Sequence, residues 1–182
     1  MLFAFVSKTL GTISPSLQSS PSSPSIAKMA SGICRGRFMN VFNYLGEDTA
    51  HISQMLNETV ANFLDWPRDR VFEQTKKALS SLDAHFDKEK LLVNNLEGTE
   101  SDLSDLVKSF QEKIKDIKED MNSLIMIHVD EPGFSQVLQR IAAKVKDFSD
   151  FNANSFYPSL KDKLTMDEFN KIESQFETAV LS

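Results

Sequence analysis

His85 and Glu89 stand four residues apart in a stretch whose repeat runs Val71, Thr75, Leu79, Leu82, His85, Glu89 and Leu92. Side chains at i and i+4 of a helix lie one above the other on a single face, so the imidazole and the carboxyl group share the stripe that the apolar residues mark as buried. Two chemistries suit such a pair. Each group can offer a donor to a divalent metal ion. Equally, the two can satisfy one another by a hydrogen bond, since an ionised Glu buried without a partner is costly enough to force protonation. On these two residues alone both readings stay open.

The other candidate groups point to little chemistry. His51 lies two positions beyond the inward-facing Thr49 and is therefore turned away by about 200°, toward solvent. His128 falls in HVDEPGF, a connection, and is expected to be a loop or cap residue. The single Cys34 cannot form an internal disulfide and excludes a Cys-based zinc site. There is no Ser-His-Asp arrangement on one face, no Gly-rich phosphate loop and no pair of inward acids, so the chain is not expected to be an enzyme.

Four long helices and one shorter one are expected to position these groups. The first carries Phe42, Leu45, Thr49, Ile52, Leu56, Val60 and Phe63 and ends before Asp65-Trp66-Pro67. The second spans about residues 68–94. A third begins near GTESD, where Thr99 or Ser101 can cap it, and carries Leu103, Phe110, Ile114, Ile117, Met121 and Leu124. Nothing on that stripe binds a metal tightly. The fourth is opened by Pro132 and carries Phe134, Val137, Ile141, Val145, Phe148, Asn152 and Phe156, with a stop expected at Tyr157-Pro158. After a loop, SLKDKL, the capping box Thr165 to Glu168 opens a short amphipathic helix on Phe169, Ile172, Phe176 and Val180. The expected fold is all-α, an up-down antiparallel four-helix bundle with a short C-terminal helix.

Composition agrees. With 6 Gly and 6 Pro in 182 residues, the chain is poor in turn residues and suits few long helices. Residues 1–46 hold four basic residues and no acid, so a net charge of −6 leaves −10 on the remainder. An acidic body without a basic stripe repels phosphate backbones, so no nucleic-acid partner is expected. Residues 1–38 are Ser-rich, free of acids and interrupted by Pro15, Pro21 and Pro24. They are expected to form a disordered tail or a transit peptide to a plastid or mitochondrion, with a cytoplasmic protein the alternative and Met29 a second possible start. The apolar opening MLFAFV is far short of the roughly 20 residues of a membrane span. Residues 39–182 form the expected domain.

The segments HFDKEKLLV at 85–93, VDEPGFSQVLQRI at 129–141 and FYPSLKDKLTMDEFNKIESQFETA at 156–179, with FNYLGEDTAHISQML opening the first helix, resemble the hemerythrin-like (HHE cation-binding) family over roughly residues 40–180. That resemblance implies a di-iron site fed by inward histidines on four helices and carboxylates on two. Position by position, it puts Asp48-Thr49 where the family has Asp-His and keeps His85 and Glu89. It sets Ile114 and Phe148 where histidines would stand, and Asn152 in place of a Glu. The resemblance therefore implies a kept fold with most iron ligands absent: a metal-free binding or structural module, its partner a protein or small molecule that the sequence does not specify. The alternative it leaves is residual binding of iron or another divalent cation by His85 and Glu89, with help from Asp48, Glu47 or Asp150.

Overall fold

The structure is a computed structural model and describes residues 41–94 and 101–181. It consists of α1 (Val41–Ala61), α2 (Arg68–Asn94), α3 (Ser101–Ile125), α4 (Pro132–Phe151), a π-helical segment (Asn152–Phe156), α5 (Tyr157–Lys163) and α6 (Met166–Leu181). Among the described residues there is no strand, and the all-α bundle expected from the periodicity is what the chain forms. The expectations for residues 1–38, for the start at Met29 and for a cap at Thr99 lie outside the described residues.

The inward stripes meet in one core. Leu45, Ile52 and Leu56 of α1, Val71 and Leu82 of α2, Phe110 and Ile117 of α3, and Ile141, Val145 and Phe148 of α4 are all buried. α1 packs on α2 and α4, α3 packs on α4, and α6 packs on α2, whereas α2 and α3 approach each other sparsely. Along α3 and α4, and along α1 and α2, the paired residues run in opposite chain directions. Asp116 and Asp120 of α3 meet Lys144 and Arg140 of α4, each at 2.7 Å, and Asp48 of α1 meets His85 of α2 while Tyr44 meets Lys88.

Local signals set the helix ends. Pro132 occupies the first turn of α4, where its missing N–H has no partner to lose. At α6 the Thr165 N–H donates to Glu168 Oε2 at 2.9 Å and the Glu168 N–H returns to Thr165 Oγ1 at 3.4 Å, the reciprocal capping box expected there. α6 lies back on α1, with Phe169 against Phe42 and Phe176 against Tyr44.

The stop expected at Tyr157-Pro158 is corrected. The chain remains helical through it: the Tyr157 N–H donates to the Asn152 carbonyl five residues back, and Pro158 falls in the first turn of α5. Pro158 has no N–H to continue the ladder, and it follows directly on the wide π turn, where the regular α-helical register is already interrupted. Ser159–Lys163 are accordingly helix, and the break comes at Leu164, which is extended at φ −76° and ψ 134°. The sequence carries a trace of the wide turn. Phe148, Asn152, Phe156 and Leu160 are all buried, yet three successive steps of four residues drift about 120° around an α-helix. One extra residue in a π turn restores the face.

Candidate functional site

The inward pair of α2 sits at the centre of a buried hydrogen-bond network. His85 and Glu89 are both fully buried, and His85 Nε2 lies 3.2 Å from Glu89 Oε1. α1 supplies the remaining partners of the ring. Nδ1 is 3.0 Å from Asp48 Oδ2, and Nε2 is 2.8 Å from Thr49 Oγ1.

The proton positions follow from what each partner can do. The Thr49 hydroxyl donates to the Leu45 carbonyl at 2.8 Å, so its oxygen is left to accept from Nε2. An ionised carboxylate accepts only, so Nδ1 must donate to Asp48. Both ring nitrogens therefore carry protons and His85 is an imidazolium. The electrostatics agree: burial pulls the His85 pKa down, but hydrogen bonds to Asp48 and Glu89 outweigh it and raise the pKa to about 9. The His85 hydrogen bond in turn holds the Asp48 carboxyl below its usual range, against the effect of burial. Lys88 bonds Asp48 Oδ2 and the Tyr44 hydroxyl at 3.0 and 3.1 Å; these contacts raise its pKa although burial alone would lower it.

Glu89 Oε1 draws two further donors from the far end of the chain. The Tyr157 hydroxyl approaches to 2.5 Å and the Asn152 amide to 2.9 Å. Burial, and then the neighbouring Glu89, push the Tyr157 pKa up, so the phenol keeps its proton and remains a donor. The π turn makes this geometry, because it brings Asn152 and Tyr157 to the same carboxyl oxygen. Glu89 Oε2 and Asn152 Oδ1 are buried acceptors without a hydrogen-bond partner. Outside this network, a groove of about 450 Å³ runs between α1 and the π segment, and Thr49, Asn152 and Tyr157 form part of its wall.

Of the groups that the sequence offered as helpers, Asp48 joins the network and two others do not. Glu47 is exposed in the groove wall, and Asp150 is exposed and paired with Lys146 at 2.6 Å. His51 is exposed and His128 lies in the connection before α4, where each was expected. Phe148 is fully buried between Phe86 and Phe110, at ring-centroid distances of 5.6 and 5.5 Å. Tyr157 and Lys88 are the partners that sequence reasoning missed. For Tyr157 the run of four-residue steps through 148–160 was the available signal; for Lys88 there was none, since it lies off the inward stripe.

Among the described residues, no group of three or more His, Cys, Asp or Glu side chains is arranged to hold a metal ion. No protein-family model, curated protein or solved structure matches this chain.

Proposed function

We propose that the chain is a degenerate hemerythrin-like bundle that works without iron, as a non-enzymatic binding or structural module. The observation that carries this reading is that both ring nitrogens of His85 are engaged by α1, Nδ1 by Asp48 and Nε2 by Thr49. An imidazole ligates a metal through a lone pair, and a ring that donates from Nδ1 to Asp48 and from Nε2 to Thr49 has no lone pair in the ring plane to give. The residues present do not fit a di-iron centre. Thr49, Ile114, Phe148 and Asn152 fill four of the positions that the resemblance assigns to donors, and Phe148 packs a phenyl ring into the core there.

The second reading, residual binding of iron or another divalent cation by His85 and Glu89, has its own support. Glu89 Oε2 and Asn152 Oδ1 are two buried oxygens with no donor, and such atoms suit a hard cation. The two readings separate on elemental analysis and absorption spectroscopy of the full chain purified without chelator. The expected result is no stoichiometric iron and no charge-transfer absorption, with His85→Ala altering stability alone. Near-stoichiometric iron that disappears in His85→Ala would overturn the metal-free reading and install the second.

A further inference from the structure

α6 joins the bundle differently from the four long helices. Leu164 is extended, at φ −76° and ψ 134°, so the chain leaves its helical path there and α6 begins as a separate element with its own capping box. Its hold on the rest is narrow. Among the described side chains of α6, Ile172, Glu173 and Phe176 are buried and Phe169 is partly so. One of the three buried positions is thus a carboxyl group, on a helix that docks by its apolar face.

What meets Glu173 from α1 is a backbone donor. The Val41 N–H, at the first residue of that helix, donates to its carboxyl group. The first N–H groups of a helix lack a partner within it, so a carboxylate from elsewhere in the chain suits them in hydrogen bonding and in charge. Glu173 therefore joins the last helix to the start of the first. The bond sets two demands against each other. The donor favours the ionised carboxylate, whereas removal from water disfavours it, and among the described residues no cation of α1 or α2 is paired with it to offset that cost. Burial wins and lifts the Glu173 pKa above its ordinary 4.5, the Val41 bond opposing it and Glu177, one turn on along α6, adding to it.

We propose that α6 is a strap that opens at Leu164 as a unit, with Glu173 as a latch that grips more tightly in acid. Docked, Glu173 binds its proton more tightly than it does on an undocked, hydrated helix. The added grip is complete below the ordinary carboxylate pKa and is lost as pH rises through the raised one. Opening uncovers Phe42 and Tyr44, on which Phe169 and Phe176 rest. Tyr44 also accepts from Lys88, so the strap lies over the outer edge of the network that holds His85. The π segment and the start of α5 stay behind, because Asn152 and Tyr157 are bonded to Glu89.

The test is amide hydrogen exchange of the full chain, followed by NMR at about pH 5 and about pH 7, with each rate compared with that of an unstructured peptide at the same pH to give a protection factor. Ile172 and Phe176 report α6, and Ile117 of α3 reports the bundle. The two α6 amides are expected to be protected about tenfold less than Ile117 or lower still, and to lose a further factor of about three or more between the two pH values. Glu173→Gln removes the charge while its amide oxygen can still accept from Val41. In that variant the protection of α6 should be the same at both pH values and no lower than the parent's at the higher one. Equal protection of α6 and α3 in the parent would show that α6 opens only with the whole protein, and would overturn the proposal. So would α6 protection in the parent that holds level or rises with pH, or a fall with pH that persists in Glu173→Gln.

Discussion

Raising the pH from about 6 to about 9 is expected to remove roughly 3 kcal/mol of unfolding free energy, read from urea denaturation at each pH. The folded His85 binds its proton more tightly than an unfolded histidine does, with a pKa of about 9 against an ordinary 6.5. The contribution is therefore complete below the unfolded value and is lost as pH rises through the folded one. Asp48 works in the other direction: its lowered pKa stabilises the fold above the usual carboxylate range and ceases to do so in acid. The His85–Asp48 pair thus favours a window on the acid side of neutrality. His85→Gln should flatten the alkaline limb, because an amide has no proton to release there. An equal alkaline loss in parent and variant would show that the slope arises elsewhere and that His85 is not held as an imidazolium.

Replacing Phe148 by Ala is expected to destabilise the protein by about 3–5 kcal/mol, the usual cost of truncating a buried Phe. The ring is fully buried and meets Phe86 edge-on, while Phe110, which it also touches, stacks on Phe156 at 4.3 Å. Its removal opens a cavity between Phe86 and Phe110, the second of which is held in place by its stacking on Phe156. Domains of this kind are stable by only about 5–15 kcal/mol, so the variant should lose a large fraction of that and melt at markedly lower temperature. Phe148→Leu, which retains most of the volume, should cost far less. A cost below about 1 kcal/mol for Phe148→Ala would mean that neighbouring side chains, and not this ring, fill the core at that level.

The stripes were legible because burial alone fixes them. The inward residues read for the four long helices are buried or pack at the edge of the core, including the polar Thr49, Thr75, His85, Glu89 and Asn152. What periodicity could not supply was the identity of partners. Asn152 reads in the sequence as a departure from an expected Glu; in the fold it donates to Glu89, which a Glu carboxylate could not do. Pro158 reads as a stop because the rule for proline assumes a continuous α-helical register, and the π turn just before it changes that register. Asp48 stands beside the inward Thr49 with no sign in the sequence that its carboxylate reaches His85, since that contact depends on the angle at which α1 crosses α2.

Glu89 takes its donors from two separations along the chain. His85 is four residues away, but Asn152 and Tyr157 are 63 and 68 residues away, and they arrive only when α4, the π segment and α5 are docked. A helix that held its place by apolar contact alone could fray while the rest of the bundle stayed shut. Here, detaching the segment after Phe148 strips two donors from a carboxyl group sealed inside α2, a loss felt at the centre of the protein. The π segment and the start of α5 are thereby tied to α2, so that their detachment is coupled to a buried polar group of the second helix.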